Sequence, residues 1–280
     1  TYDLDYGGQP GDESPSRGAA VASLDAGQVF DKFTADGGYQ TLEPRLDSHY
    51  VPYEEQGGLP QFDTGEFTFG FSQLFNPNRY AGGDRVGDAN QLSLAVSTRK
   101  FDNHDGAERW SLDFGQIFYF EDREVQLEDE PVADADLSPF LAEFSWRFSP
   151  RLSTVAGLQW NWDESEMDVG MVGIRYDGAN GTRIGFEYRY RTERVDQFDF
   201  RALWPINERW RVLGRVNYSF ADDELLEIQG GVEYESCCWA FRTVLRRYLK
   251  NRDGEFRDGI YLELNLKGLA SIGSGSRNLF

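Results

Sequence analysis

The stretch with the most reactive chemistry in this 280-residue chain is Tyr234-Glu235-Ser236-Cys237-Cys238-Trp239-Ala240-Phe241-Arg242, which holds both of its cysteines side by side. Neighbouring side chains on an extended strand leave from opposite faces, so a bridge between the two would close a strained ring and each thiol is expected to look elsewhere. There is no third cysteine in the chain, so a bridge would run to a region of protein outside it or to another chain. Two buried free thiols and half of a metal site are the competing readings; no histidine lies close in sequence to complete the latter.

The rest of the chain offers little for catalysis. His49 and His104 are its two histidines, one in an expected strand and one in a turn, and neither has a serine or cysteine at a spacing that suggests a nucleophile. Gly82-Gly83-Asp84 and Gly230-Gly231 lack the strand–GxGxxG–helix setting of a phosphate cradle. The runs Glu128-Asp129-Glu130 and Asp222-Asp223-Glu224 read as solvated loop acids, with divalent-ion contact near anionic lipid heads as the sharper alternative. No catalytic residue, metal or cofactor is expected. Arg242 and Arg246 alternate onto one face and read as a charged lumen wall, contact with a lumenal partner or a phosphorylated glycolipid being the functional alternative.

The elements that must position these residues are strands. Aromatics at 15%, 30 glycines and two methionines suit strands and turns better than packed helices. The 28 basic and 48 acidic residues give a net charge of −20, which argues against nucleic acid as a partner. No apolar run is long enough for a transmembrane helix, but a spanning β-strand needs only about 9–11 residues with one apolar face. Period-two alternation recurs: Ile184, Phe186, Tyr188 and Tyr190 oppose Arg183, Glu187, Arg189 and Arg191, and Ile260, Leu262, Leu264 and Leu266 oppose Tyr261, Glu263, Asn265 and Lys267. The second face carries full charges, as expected of a wet lumen. Aromatics gather near strand ends (Phe118 and Phe120, Trp160 and Trp162, Trp204 and Trp210), which suits girdles at two water–lipid interfaces.

This pattern predicts an all-β fold, an antiparallel transmembrane β-barrel segment over 18–269, with a loop at 1–17 and a flexible tail at 270–280. Roughly 13 strands are expected, beginning with one over 18–32 and ending with 258–267, at about 10 residues each. Compact turns at Asp102–Arg109, Ser149–Arg151, Asp177–Arg183 and Pro205–Arg209 alternate with connections that are acidic and often longer, at Glu121–Ser138, Asp163–Met167, Arg191–Gln197 and Asn251–Asp258. Following that alternation puts the cysteine bend on the short-turn side, which is periplasmic in such barrels and permits disulfides. Residues 54–88 interrupt the pattern and read as an ordered loop, at the surface or folded into the lumen, with 66–71 able to add a strand. Pro44 and Pro52 each remove a ladder hydrogen bond and weaken their strand locally. Thr1, with no leader before it, suggests a processed product or an excised piece.

Tyr234 through Arg242 resembles the vicinal-cysteine signature of the LptD family of outer-membrane lipopolysaccharide-assembly proteins. Thr41-Leu42-Glu43-Pro44-Arg45, Tyr50-Val51-Pro52-Tyr53, Phe75 through Arg85, Ala89-Asn90-Gln91, Gly115 through Phe120 and Leu266-Lys267-Gly268-Leu269 are similar to the family in the same order. The resemblance implies that the chain is the C-terminal half of a barrel of about 26 strands. It further implies a preceding periplasmic jellyroll, the lipoprotein LptE as a lumenal plug, delivery by the periplasmic bridge protein LptA, folding by the barrel-assembly machinery, and sideways release of lipopolysaccharide into the outer leaflet of a Gram-negative outer membrane. By the same carry-over, Cys237 and Cys238 pair with cysteines of the N-terminal region, and Ile260, Tyr261, Leu262, Glu263, Leu264, Asn265, Leu266 and Lys267 form the last strand, one wall of a lateral gate. A porin-like diffusion channel is the alternative that charged inward faces also fit.

Overall fold

A computed structural model describes residues 16–35, 37–128, 130–251 and 254–273. Most of the loop expected at 1–17, Asp129 of the acidic run, and the tail beyond residue 273 lie outside the described residues. The strands are β1 (Ala22–Gly27), β2 (Phe30–Phe33), β3 (Tyr39–Val51), β4 (Ala89–Phe101), β5 (Glu108–Tyr119), β6 (Phe140–Ser149), β7 (Leu152–Asn161) and β8 (Glu166–Asp177). They continue as β9 (Arg183–Arg191), β10 (Val195–Pro205), β11 (Trp210–Ser219), β12 (Glu224–Glu235), β13 (Trp239–Leu249), β14 (Phe256–Leu266) and β15 (Ala270–Gly273). All belong to one 15-stranded sheet in which sequence neighbours are sheet neighbours from β3 to β15, with β1 and β2 both on the free side of β3. Strand pairing among the described residues is antiparallel, as hairpin connections require. Among the described residues no helix is long and apolar enough to cross a membrane, which says nothing of strands that cross.

The all-β antiparallel expectation holds, and the strand count differs for two physical reasons. The single strand expected over 18–32 is two, because β1 pairs with β3 up to Gly27–Arg45 and β2 resumes at Phe30–Leu42. Between them stands Pro44, which has no N–H to offer the ladder and only accepts, from the Gln28 N–H at 3.1 Å. At the other end the tail expected from 270 begins as a strand. Gly268 takes a φ of 81°, open to glycine at little cost, and turns the chain so that Ala270–Gly273 pair with Glu263–Leu266. The possible strand at 66–71 is reduced to an isolated bridge between Glu66 and Tyr80.

The connections correct the expected contrast between the two sides. Residues 52–88 and 120–139 form long connections on one side, but 162–165, 192–194 and 220–223 on that same side are as tight as the turns opposite. Each contains a non-glycine residue with positive φ, namely Ser165, Glu193 and Asp223, as three- and four-residue hairpin loops demand.

The chain divides into two compact units. In the first, Thr1–Ala107 with Ser111–Glu143 and Trp160–Glu166, the core is made by the 52–88 segment rather than by strands alone. Its 3-10 turn Phe71–Phe75 places Leu74, fully buried, against Ala95, Ile117 and Leu141. Ala95 and Ile117 sit on the odd-numbered face of β4 and β5, on which Gln91, Ser93, Ser97, Ser111 and Asp113 are polar and buried. The segment therefore lies on the polar face of the sheet and leaves Leu42, Leu94 and Val96 exposed on the other. The lumen-folded alternative for this loop fits that placement.

Candidate functional site

In the second unit, β9–β14 carry a continuous wall of charge on one face. Antiparallel register sets Asp199 and Arg201 of β10, Arg211 and Arg215 of β11, Glu227 and Glu233 of β12, Arg242 and Arg246 of β13 and Glu263 of β14 on the same side. The pairs interlock in two rows. In the first, Arg201 reaches Glu187 at 3.4 Å and Asp199 at 3.3 Å, Arg215 joins Asp199 at 2.6 Å to Glu227 at 3.1 Å, and Arg246 closes on Glu227. In the second, Glu233 takes Arg211 and Arg242, each at 2.6 Å, and Arg242 extends to Glu263 at 3.7 Å. Leu213, Val244 and Tyr261 pack between the rows, over the site where Gly231 has no side chain. Asp199, Glu227 and Glu233 are buried, so the wall presents arginine, and those arginines are already engaged.

The opposite face is apolar and open. Phe200, Trp204, Ile228, Val232, Phe241, Leu245, Ile260 and Leu262 are all exposed on it, Ile260 by 69%. A soluble sheet would bury such a face against a second layer, and none is present among the described residues of this unit. Aromatic rings mark both ends. Trp210, Tyr234 and Trp239 cluster at one, with centroids 5.0 and 5.3 Å apart, while Tyr188, Phe198, Tyr218 and Phe220 cluster at the other at 5.3–6.4 Å. Trp210 and Tyr218 of β11 thus stand roughly 20 Å apart across the sheet, taking about 3.4 Å per residue and about 40° of tilt, close to the about 25 Å apolar band of outer-membrane barrels.

The cysteines sit at the Trp210–Tyr234–Trp239 end. Both are exposed and unbridged, with their sulfurs 2.9 Å apart, which removes the reading of two buried thiols. Their turn is held from three sides: the Ser236 N–H donates to Trp239 O at 2.8 Å, the Glu235 N–H to Arg209 O at 2.7 Å and the Lys267 N–H to Cys238 O at 3.0 Å. The Lys267 ammonium adds a bond to Ser236 O at 2.8 Å and an ion pair with Glu235 at 2.6 Å. The Cys237 thiol is held below its usual range, chiefly because Cys238 hydrogen-bonds to it and also because Lys267 lies near, and Cys238 is pushed up correspondingly.

The expected gate strand is present as β14, but it is not the outermost strand. β15 covers Glu263–Leu266, and Phe256–Leu262 have no partner on that side among the described residues. Sequence reasoning also missed the joint that fastens 52–88 to 120–139. The Asp88 carboxylate accepts the Glu124 and Val125 N–H groups at 2.7 and 3.0 Å, and the Tyr80 hydroxyl donates to Val125 O at 2.8 Å. Loop composition alone gave no signal for it. His49 is buried with Nε2 2.7 Å from Asp47, while His104 is exposed in its turn.

An antiparallel sheet with one apolar exposed face, one ion-paired face and aromatic rings at two levels defines a segment of an outer-membrane type of β-barrel. Residues 1–210 match the family model LptD, LPS transport system D. The chain is 43% identical over 283 residues to LPS-assembly protein LptD of Xanthomonas campestris pv. campestris (strain 8004), covering 95% of this chain and 35% of the relative. It is 42% identical over 273 residues to LPS-assembly protein LptD of Xylella fastidiosa (strain Temecula1 / ATCC 700964), covering 94% and 34%. The chain belongs to the LptD family, and it spans about a third of the length of these relatives. The family match ends before the cysteine turn, which the shape of the sheet and not that match places beside β14.

Proposed function

We propose that this chain is part of the outer-membrane barrel of a lipopolysaccharide-assembly protein, and that it forms the wall along which lipopolysaccharide leaves for the outer leaflet of a Gram-negative cell. The observation that carries the reading is the half-paired edge of β14, backed by the family and by the two-faced sheet. An unpaired backbone edge in lipid is costly, so another strand of the whole barrel must close on Phe256–Leu262, and a seam of that kind is where sideways release is cheapest. The charged face lines the lumen, where the lipoprotein LptE fits as a plug. The apolar face meets lipid, the Cys237–Cys238 turn faces the periplasm, and each thiol bridges to a domain that LptA supplies with lipopolysaccharide. The barrel-assembly machinery inserts the whole, at about 26 strands.

The test uses the full-length protein in cells depleted of the chromosomal copy. Leu262→Pro takes one N–H from the open stretch of β14, because the N–H groups at even-numbered positions of this strand face away from β13, and Cys237→Ser with Cys238→Ser removes the tether. Newly made lipopolysaccharide at the cell surface should fall in both, with loss of the slow-migrating oxidised form on non-reducing gels in the second. Normal surface lipopolysaccharide together with reduced uptake of small solutes would replace this reading with a diffusion channel.

A further inference from the structure

Arg247 has no place in the charged wall. It follows Arg246 in sequence and therefore leaves β13 on the apolar face, between Leu245 and Leu249, where its side chain is 55% exposed. Among the described residues its one ionic neighbour is Asp258 on β14, at 3.7 Å and 75% exposed. Along β9–β14 the other positions of this face are apolar, aromatic or small, apart from Thr243 and from Asp196 beside the β9–β10 turn. A lone, loose ion pair on such a face is costly unless something in the membrane meets it.

The surroundings describe what that is. Beside the pair runs a groove of about 680 Å³, walled by Ile228, Leu245 and Ile260 and opened by Gly230, where a β-carbon would touch nothing. An apolar trough with a guanidinium at its mouth fits an amphiphile with an anionic head. Its depth agrees: Arg247 stands roughly 20 Å across the sheet from Trp239, at the level of the far aromatic ring. Phe256, 4.9 Å from the guanidinium, belongs to the same level. At 3.7 Å the Asp258 contact is longer than a charge-assisted hydrogen bond, so a phosphate can displace it.

We propose that Arg247 and the Ile228–Leu245–Ile260 groove bind a membrane lipid with an anionic phosphorylated headgroup, the phosphate on Arg247 and an acyl chain over Gly230. The site borders the unpaired half of β14, so a lipid emerging there meets it first. The inference rests on the reading that the apolar face meets lipid.

A photo-crosslinking amino acid at Leu245 in the full-length complex tests both. The complex is placed in nanodiscs of phosphatidylcholine doped with lipid A, with dephosphorylated lipid A, or with lipid A plus millimolar inorganic phosphate. Crosslinking to lipid A should exceed that to its dephosphorylated form about tenfold, the equivalent of one charge-assisted contact. Arg247→Gln should abolish the preference, Arg247→Lys retain part of it, and inorganic phosphate leave lipid A crosslinking unchanged. Equal crosslinking to both lipids by the unaltered complex overturns the headgroup site while leaving the lipid-facing reading intact. Competition by inorganic phosphate identifies an ion site instead. No crosslink to any lipid overturns the lipid-facing reading and the proposal together.

Discussion

Leu74 occupies the place that a side chain on Gly115 would take: a β-carbon added there would overlap its Cδ1. The 3-10 turn of the 52–88 segment is thus keyed into a notch on β5, beside Ala95 and Ile117. Gly115→Val should expel Leu74, and Leu74→Ala should leave a cavity worth about 2–5 kcal/mol of local stability. Hydrogen exchange across residues 71–75 of the full-length protein should rise in both variants, while exchange in β9–β14 stays unchanged.

Glu233 joins two strands through two arginines. Glu233→Ala leaves Arg211 and Arg242, both only partly exposed, without their shared partner. The expected loss is about 1–3 kcal/mol, below the full cost of stranding a buried charge because water still reaches the arginines. Urea unfolding in lipid measures it, and pairing Glu233→Ala with Arg242→Ala should recover part of the loss if the contact is the cause.

The cysteine turn makes its two thiols unequal. Cys237 is held low by the bond from Cys238 and the charge of Lys267, so it is the first of the pair to ionise as pH rises. In reduced full-length protein, iodoacetamide should label Cys237 before Cys238. Cys238→Ala should move the Cys237 labelling profile to higher pH, with Lys267→Met adding a smaller shift in the same direction.

Asp84 ties the long segment together by accepting the Phe62 and Asp63 N–H groups at 2.9 and 3.0 Å, and those bonds hold its carboxyl below the ordinary value of 3.8. A carboxylate whose folded value is depressed stabilises fully above its unfolded value and loses that contribution as pH falls through the folded one. Protection of residues 62–64 from exchange should therefore be flat above about pH 5 and fall below about pH 4. In Asp84→Asn the same amides should be less protected throughout, with that acid step removed.

Much of this was legible because alternation is a strict signal. The faces of β9 and β14, and the sharing of one face by Arg242 and Arg246, follow from period two alone. The break between β1 and β2 was half legible: Pro44 announced a lost bond on its own strand, but which residues would lose their partner depended on register. The engagement of the wall arginines was hidden for a similar reason, since Arg215 meets Asp199 and Glu227 only once three strands are aligned. Nor could composition say which face the 52–88 segment would cover, because Leu74 finds its notch through a glycine distant in sequence.

The short hairpin of β14 and β15 gives the edge a built-in end stop. A strand arriving from the rest of the barrel can zip along Phe256–Leu262 but meets an occupied position at Glu263. If the whole barrel closes on this edge as proposed, register there is fixed by collision rather than by side-chain complementarity, and the closing strand is kept from slipping by two residues. Lengthening β15 by two residues should shorten the stretch left for such a strand by the same amount.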